Sequence, residues 1–148
     1  MEYRRASSTD APLVSAFRRQ QLIEEGASQE VDIEQAMIDY HAAAIEDGTL
    51  VEWLAVDDGE VVATGAVLFQ QHPPSFSNPN GRVAYVTNMY TRPDHRRQGL
   101  ATSLLNKLMD DCRARDCHVV WLRGSRDGLP TYAKFGFIPL SNAMVLKV

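Results

Sequence analysis

The sequence has few cysteines and no long apolar run, and both shortages restrict what the protein can be. Cys112 and Cys117 are the only cysteines among 148 residues, and no histidine lies at a ligand spacing beside them. We interpret them as reduced structural thiols rather than as a metal site. No apolar stretch approaches the roughly 20 residues that span a bilayer, and Met1-Glu2-Tyr3-Arg4-Arg5 lacks the apolar region of a signal peptide. These shortages predict a cytoplasmic protein without a metal or a membrane partner.

Positive charge is also in slight deficit, since the formal net charge is -4. A weakly acidic chain has no overall field that attracts nucleic acid or anionic membranes, although it can still contain a local basic pocket. The composition, 45% hydrophobic and 23% charged, is ordinary for a globular protein. The length fits one domain spanning residues 1–148.

Hydrophobic periodicity and turn residues predict the order β, α, α, three strands, α, β, α, β, β. The expected strands cover residues 3–6, 50–56, 61–69, 82–90, 118–122, 137–138 and 144–148. The expected helices are one ending near residue 24 and others at 29–47, 99–115 and 127–134. Asp58-Gly59 predicts an antiparallel hairpin, whereas the strand–helix–strand unit at 83–122 requires a crossover and parallel strands. The fold class is therefore α/β (α+β), with a mixed sheet of about six to seven strands and helices on both faces.

A basic turn between a predicted strand and a predicted helix is the segment best suited to chemistry. It reads Thr91-Arg92-Pro93-Asp94-His95-Arg96-Arg97-Gln98-Gly99-Leu100-Ala101. The N-terminus of a helix offers free N–H groups and partial positive charge. Gly99 lets a ligand approach the backbone closely, and Arg96 and Arg97 add positive charge. The turn suits a diphosphate, but the same residues also fit a solvated basic turn before an ordinary helix.

Two motifs resemble those of the GNAT family (GCN5-related N-acetyltransferases). Arg96, Gly99 and Ala101 fill the fixed positions of the acyl-CoA signature Arg/Gln-x-x-Gly-x-Gly/Ala. Leu122-Arg123-Gly124-Ser125, followed by Tyr132-Ala133-Lys134-Phe135-Gly136-Phe137, is similar to a later motif that ends in Tyr-x-x-x-Gly-Phe. The motifs occur in the family's order, and the resemblance covers essentially the whole chain. It implies the acyl-CoA N-acyltransferase fold and an acetyltransferase that uses acetyl-CoA as its donor.

The resemblance also implies roles for particular residues. The main chain of Met89, Tyr90 and Thr91 would pair with the pantetheine arm like an added strand, which requires this strand to splay from its parallel neighbour near Trp121. Tyr132 would be the general acid that donates a proton or a hydrogen bond to the leaving thiolate; the alternative is a packed aromatic with a satisfied hydroxyl. The pyrophosphate would lie on the turn and the first helical residues, namely Arg96, Arg97, Gln98, Gly99, Leu100, Ala101 and Thr102.

The acceptor side carries no motif. An amine acceptor must lose a proton before it attacks, because the reference pKa of lysine is about 10.4, and Asn88 on the central strand cannot act as the base. Glu24, Glu25 and Glu52 are candidates by charge alone and are interpreted as solvated surface carboxylates. The first helix pair and the loop at 72–81 are expected to form the acceptor pocket.

Several functions remain open at this level. The leading one is acetylation of a primary amine on a small molecule or peptide. The alternatives are acetylation of a protein N-terminus, acetylation of a charged tRNA, which the acidic balance disfavours, and a non-catalytic acyl-CoA-binding sensor. His41, His72 and His118 have no evident partner, so structural or surface roles are the default. The edge strand expected at Met144–Val148 can pair with another subunit. The resemblance favours a homodimer, but the sequence itself leaves the oligomeric state open.

Overall fold

The computed structural model describes residues 1–148, and its elements follow the predicted order as far as the last helix. The strands are β1 (Glu2–Arg5), β2 (Leu50–Asp57), β3 (Glu60–Gln71), β4 (Arg82–Thr91) and β5 (Val119–Leu122). The helices are α1 (Ala11–Glu24), α2 (Glu34–Glu46), α3 (Leu100–Ala114) and α4 (Leu129–Phe135). None of them is long and apolar enough to cross a membrane.

The five strands form one mixed sheet in the order β1-β2-β3-β4-β5. The first four strands are antiparallel. Asp58 and Gly59 both have positive φ, the backbone of the tight hairpin that their sequence predicts. β4 and β5 are parallel, because α3 carries the chain back across the sheet between them. The predicted fold class is confirmed.

Helices cover both faces of the sheet, and two consecutive residues of β3 show the division. Ala66 packs with Ala44 of α2, whereas Val67 packs with Leu105 and Leu108 of α3, because neighbouring side chains of a strand point to opposite faces. The buried leucines of α3 recur at helical spacing and hold it against the sheet. Truncating one of them, such as Leu108→Ala, would lower the free energy of unfolding by about 2–5 kcal/mol.

Two expected features differ in the structure. α2 begins at Glu34 rather than near residue 29, where the Asp32 side chain accepts a hydrogen bond from the Glu34 N–H and turns the chain into the helix. The two strands expected at 137–138 and 144–148 are absent, so the sheet has five strands rather than six to seven. From Ile138 onward the chain has no regular structure and every residue is exposed, since these residues find no strand partner within their own chain.

Candidate functional site

β4 carries a β-bulge at Asn88 and Met89. These two residues lie opposite Gly65 alone on β3, and Asn88 has a φ of +54° in the left-handed region. Gly65 permits the arrangement, because a Cβ at this position would come within 2.5 Å of Met89 Sδ. A bulge bends its strand and increases the local twist. The end of β4 is therefore turned away from the regular course of the sheet.

β4 and β5 separate at the bulge. Their last paired residues are Val86 and Leu122, so residues 87–91 have no strand partner on the β5 side. This is the splay predicted near Trp121, and it begins immediately after Leu122. The freed backbone of β4 presents amide groups that an extended, amide-bearing ligand can pair with.

A cleft of about 1480 Å³ opens beside this end of β4. The cleft is lined by Met89, Tyr90, Thr91, Arg96, Arg97, Gly99, Leu100, Ala101 and Thr102, together with residues of α1 and the segment before α4. Of the residues expected to hold the cofactor, Gln98 alone lies outside the lining. A smaller pocket of about 140 Å³ adjoins the cleft and is lined by Met89, Tyr90 and Tyr132, among others. The structure thus brings the two sequence motifs to one site.

The turn before α3 is shaped for an anion. Arg97 and Gly99 have φ values of +60° and +80°, and Gly99 is the N-cap of α3. The first intrahelical bond of α3 runs from the Ser103 N–H to the Gly99 carbonyl, so the preceding N–H groups have no acceptor within the helix. A Cβ at Gly99 would meet nothing within 4 Å, because the adjacent space is the open cleft. A ligand can therefore approach this backbone closely.

Glu24 at the end of α1 connects this helix to β4 and to the turn before α3. Arg96 donates to its carboxylate and also to the Thr91 carbonyl at 2.9 Å, and the Tyr90 hydroxyl donates to Glu24 at 2.9 Å. Desolvation favours a higher pKa for Glu24, but the hydrogen bonds from Arg96 and Tyr90 prevail and hold the pKa below its usual value. Glu24 is therefore a charged, fully engaged carboxylate and a poor base, and the guanidinium of Arg96 is bound to it.

Glu52 lies in the interior, so its interpretation as a surface carboxylate is wrong. Only 1% of the residue is exposed. The Thr64 hydroxyl donates to one carboxylate oxygen, and the Asn88 amide donates to the other at 3.2 Å. Burial outweighs these hydrogen bonds and raises the pKa of Glu52 to about 7. Glu52 lines neither the cleft nor the small pocket, so it does not contact a ligand there.

The same Asn88 amide reaches His41 of α2, which is buried. Asn88 Nδ2 lies 3.0 Å from His41 Nε2, and His41 Nδ1 lies 2.8 Å from the Ser15 hydroxyl of α1. Since the amide donates, Nε2 accepts and the proton sits on Nδ1. Burial lowers the pKa of His41, which agrees with a neutral ring. The left-handed residue of the bulge is thus anchored to both helices of one face and to β2.

Tyr132 is half-buried and is the first residue of the Tyr-x-x-x-Gly-Phe sequence that ends the second motif. Two glycines make room for its ring: a Cβ at Gly128 would lie 3.1 Å from Tyr132 Cε2, and a Cβ at Gly124 would lie 3.4 Å from Cδ2. Burial raises the pKa of Tyr132 to about 12, helped by the nearby Glu25 carboxylate, and no hydrogen bond contributes to the shift. The phenol keeps its proton at neutral pH and is available to a ligand in the small pocket.

The first helix pair, expected to form the acceptor pocket, contributes through α1 alone. Gln21 and Glu25 near the end of α1 line both the cleft and the small pocket, and no residue of α2 lines either. The loop at 72–81, which was expected to contribute, lines neither cavity, because it joins β3 to β4 at the end of β4 opposite Thr91. The segment at 123–128 takes its place.

Comparisons with known proteins agree with this geometry. The family model described as "Acetyltransferase (GNAT) family" matches residues 15–137. A predicted acetyltransferase from Clostridium acetobutylicum, crystallised with acetyl-CoA, is 36% identical with a TM-score of 0.95, over 99% of this chain and 95% of that one. A GCN5-related N-acetyltransferase from Ralstonia eutropha JMP134 is 24% identical with a TM-score of 0.93, over 99% and 97% of the two chains. A ribosomal-protein-alanine N-acetyltransferase from Brucella melitensis shares the fold at 18% identity and a TM-score of 0.73, over all of both chains.

Proposed function

Because the chain belongs to the GNAT family and is an acetyl-CoA-dependent acyltransferase, we propose that it acetylates a primary amine on a small molecule or peptide by direct attack. The observation that carries this proposal is the meeting of three features at the cleft and the small pocket beside it. They are the open end of β4, the free N-terminus of α3 and the phenol of Tyr132. An acyl donor held along the first two would place its thioester sulfur beside the third.

The donor would be held mainly by main-chain groups. Its pantetheine amides would pair with the freed backbone of Met89, Tyr90 and Thr91, in the manner of an added strand. Its pyrophosphate would lie against the N–H groups of the turn and the first turn of α3, at residues 96–102, where the helix dipole adds to the attraction. The side chain of Arg97 would add positive charge, whereas that of Arg96 would keep the turn docked on Glu24.

The reaction would form a C–N bond as the C–S bond breaks. The amine must arrive without its extra proton, and the departing sulfur carries negative charge. Tyr132 would donate a hydrogen bond to that sulfur as the charge develops. Full transfer of its proton to a thiolate of ordinary pKa, about 8.5, is uphill for a phenol with a pKa of about 12. Stabilisation of the developing charge is therefore the larger part of its contribution. The nitrogen releases one proton to solvent as the amide forms, and the thiolate takes one proton from solvent, so the protons balance.

The acceptor would be a cation before it loses its proton, and Glu25 would attract it. Of the two adjacent carboxylates at the end of α1, Glu24 is neutralised by Arg96, whereas Glu25 lines the small pocket beside Tyr132. It lies close enough to Tyr132 to influence the pKa of that phenol. An ammonium held there stands beside the proposed acid.

Thiol release from acetyl-CoA, measured over a panel of amines, tests the proposed function. The panel contains polyamines, amino acids, aminoglycosides and peptides with free N-termini. We expect release with at least one small amine or peptide and N-acetylated product in equal amount. Tight binding of acetyl-CoA without release for any acceptor would instead identify a sensor, and release confined to peptides acetylated at their first residue would identify an N-terminal acetyltransferase.

A further inference from the structure

The side-chain amide of Asn88 is held from two sides, yet the residue contacts neither cavity of the site. Asn88 is 3% exposed and lines neither the cleft nor the small pocket. Its amide nitrogen lies 3.0 Å from His41 Nε2 and 3.2 Å from a carboxylate oxygen of Glu52. Because an amide nitrogen carries two hydrogens, both are used, one toward α2 and one toward β2. These three side chains are called the Asn88 clamp below.

The main chain of Asn88 requires a restraint of this kind. Its φ of +54° lies in the left-handed region, where asparagine is tolerated better than most residues but is still disfavoured. A strained conformation persists only where the surrounding structure fixes it. Without the bulge, β4 would keep the regular register of β3, and each later side chain would turn to the opposite face of the sheet. The clamp therefore holds a conformation that the strand by itself disfavours.

The two residues after Asn88 show what the bulge preserves. Met89 packs on the apolar clusters beneath α3, whereas the ring centroids of Tyr90 and Phe17 of α1 lie 5.6 Å apart. A slip of one residue would exchange these two faces. It would also move the amide groups of residues 89–91, which have no strand partner on the β5 side. The position of that free main chain thus depends on the bulge.

We propose that Asn88 is a positioning residue for the acyl donor and that His41 and Glu52 keep it in place. The clamp holds the bulge, and the bulge presents the main chain of residues 89–91 to the pantetheine amides. The inference rests on the proposed placement of the donor. Glu52 serves in either protonation state, because the Thr64 hydroxyl can donate to its carboxylate or accept from its carboxyl and leave the other oxygen to Asn88. His41 serves only as the neutral ring, whose Nε2 accepts.

The alternative is that these buried polar groups only stabilise the packing of the helices on the sheet. A network of that kind supports the whole chain, so its loss would affect every ligand of the cleft alike. A positioning role affects only those ligands that reach residues 89–91. Acetyl-CoA and 3′-phospho-ADP differ in this respect, because the second has the same nucleotide and pyrophosphate but no pantetheine arm. Comparison of their affinities therefore separates the two roles.

Asn88→Gly removes the clamp and leaves the left-handed backbone accessible, because glycine adopts positive φ without steric cost. Calorimetry is expected to show a Kd for acetyl-CoA that rises about 10- to 100-fold, the scale of two hydrogen bonds to buried partners. The Kd for 3′-phospho-ADP should stay within about twofold, which also verifies that the variant is folded. An equal change for both ligands, an unchanged Kd for acetyl-CoA, or a parent chain that binds the two ligands equally well overturns the proposal.

His41→Gln and His41→Asn form a matched pair that tests the clamp without altering β4. The terminal oxygen of glutamine reaches the place of Nε2 and can accept from Asn88, whereas the shorter asparagine reaches the place of Nδ1 and keeps only the contact with Ser15. We expect the Kd for acetyl-CoA to stay within about twofold for His41→Gln and to rise about 3- to 10-fold for His41→Asn, the scale of one hydrogen bond. The reverse order overturns the clamp.

These measurements involve no acceptor, so they separate the clamp from the proposed reaction. If no amine of the panel is acetylated while the affinities change as expected, the proposed function fails and the clamp is supported. If an amine is acetylated but the Asn88 and His41 variants bind acetyl-CoA as the parent chain does, the clamp fails and the proposed function stands.

Discussion

The two sides of the cleft differ in the groups that face it, which are main-chain groups on one side and side chains on the other. The side proposed to hold the donor, here called the donor wall, consists of backbone: the bulge at Asn88, the open end of β4, and the turn that ends at Gly99. The side proposed to hold the acceptor, the acceptor wall, consists of side chains at the end of α1, with Gln21 and Glu25 lining the small pocket. Main-chain groups suit the donor, acetyl-CoA, which the members of the family share, because peptide groups are the same in every member whatever its side chains. A side-chain wall can change its acceptor by substitution without disturbing the donor, so substitutions on each side should have separable effects.

Tyr132→Phe, where the two walls meet, should have the largest effect. Removing the hydroxyl should lower kcat by about 100- to 10,000-fold, because a positioned proton or hydrogen-bond donor is lost from the transition state. The Kd for acetyl-CoA should stay within about twofold, since the donor wall is unchanged. Steady-state kinetics and calorimetry measure the two quantities. An unaltered kcat, with chemistry shown to limit the rate, would remove Tyr132 from the mechanism.

Gly99→Val should weaken the binding of acetyl-CoA without affecting the acceptor wall. A β-branched residue at a φ of +80° is strained, and its side chain would enter the space where the pyrophosphate is proposed to lie. We expect the Kd for acetyl-CoA to rise about 10- to 100-fold, from roughly 1–3 kcal/mol of strain and lost contact. Gln98→Ala is the matched control, because Gln98 lies in the same turn but outside the cleft lining. Equal affinities in both variants would mean that the turn does not hold the donor.

Glu25→Gln should weaken the binding of a cationic acceptor without affecting the donor wall. Loss of the carboxylate should raise the KM for a cationic amine by about tenfold, the scale of one charge-assisted hydrogen bond, and leave the Kd for acetyl-CoA unchanged. Glu30→Gln removes an exposed carboxylate from the loop after α1 and serves as the control for charge. If the donor affinity falls instead, the separation of the two walls is wrong.

The same contrast explains what could be predicted from the sequence. The donor wall depends on local chemistry, such as glycine at a helix start and a strand–turn–helix order, so the residues expected to hold the cofactor could be predicted from the sequence, and all of them except Gln98 line the cleft. The acceptor wall depends on how α1 packs on the sheet, which no short motif encodes. The position of Glu52 was nevertheless readable: it lies between Leu50 and Leu54 at the alternating positions of β2 that face inward. We interpreted Glu52 as exposed because it is charged and a lone buried carboxylate is rare, although the two-residue alternation of β2 indicates an inward-facing side chain.

The strands expected at the C-terminus show why a strand predicted from its own residues can be absent from the structure. Met144–Val148 has the composition of a strand, and that local inference remains reasonable. What the chain lacks is a neighbour for it, and a strand is defined by pairing rather than by its own residues. The composition of Met144–Val148 therefore predicts a strand preference, but it does not specify a partner strand, and the sheet ends at β5.

Glu52→Gln should have the smallest effect on catalysis and tests whether the buried network belongs to the fold rather than to the acceptor wall. Gln can accept from Asn88 and donate to the Thr64 hydroxyl. The folded-state pKa of Glu52, about 7, lies above the unfolded value of 4.5, so between these values the folded chain binds more protons than the unfolded one. The stability associated with that proton is fully present below pH 4.5 and lost as the pH rises through 7.

Denaturant unfolding of the parent chain and of Glu52→Gln between pH 4.5 and 8.5 measures this linkage. The free energy of unfolding of the parent should fall relative to the variant by about 2–3 kcal/mol over that range, since each pKa unit corresponds to about 1.36 kcal/mol. Taking the difference isolates Glu52, because His41 is present in both proteins and its lowered pKa contributes the opposite slope in each. Activity should remain within a few-fold, because Glu52 does not line the cleft. A collapse of kcat in this variant, with the fold intact, would instead give Glu52 a part in removing the proton from the amine, and the carboxylate of β2 would then belong to the acceptor wall.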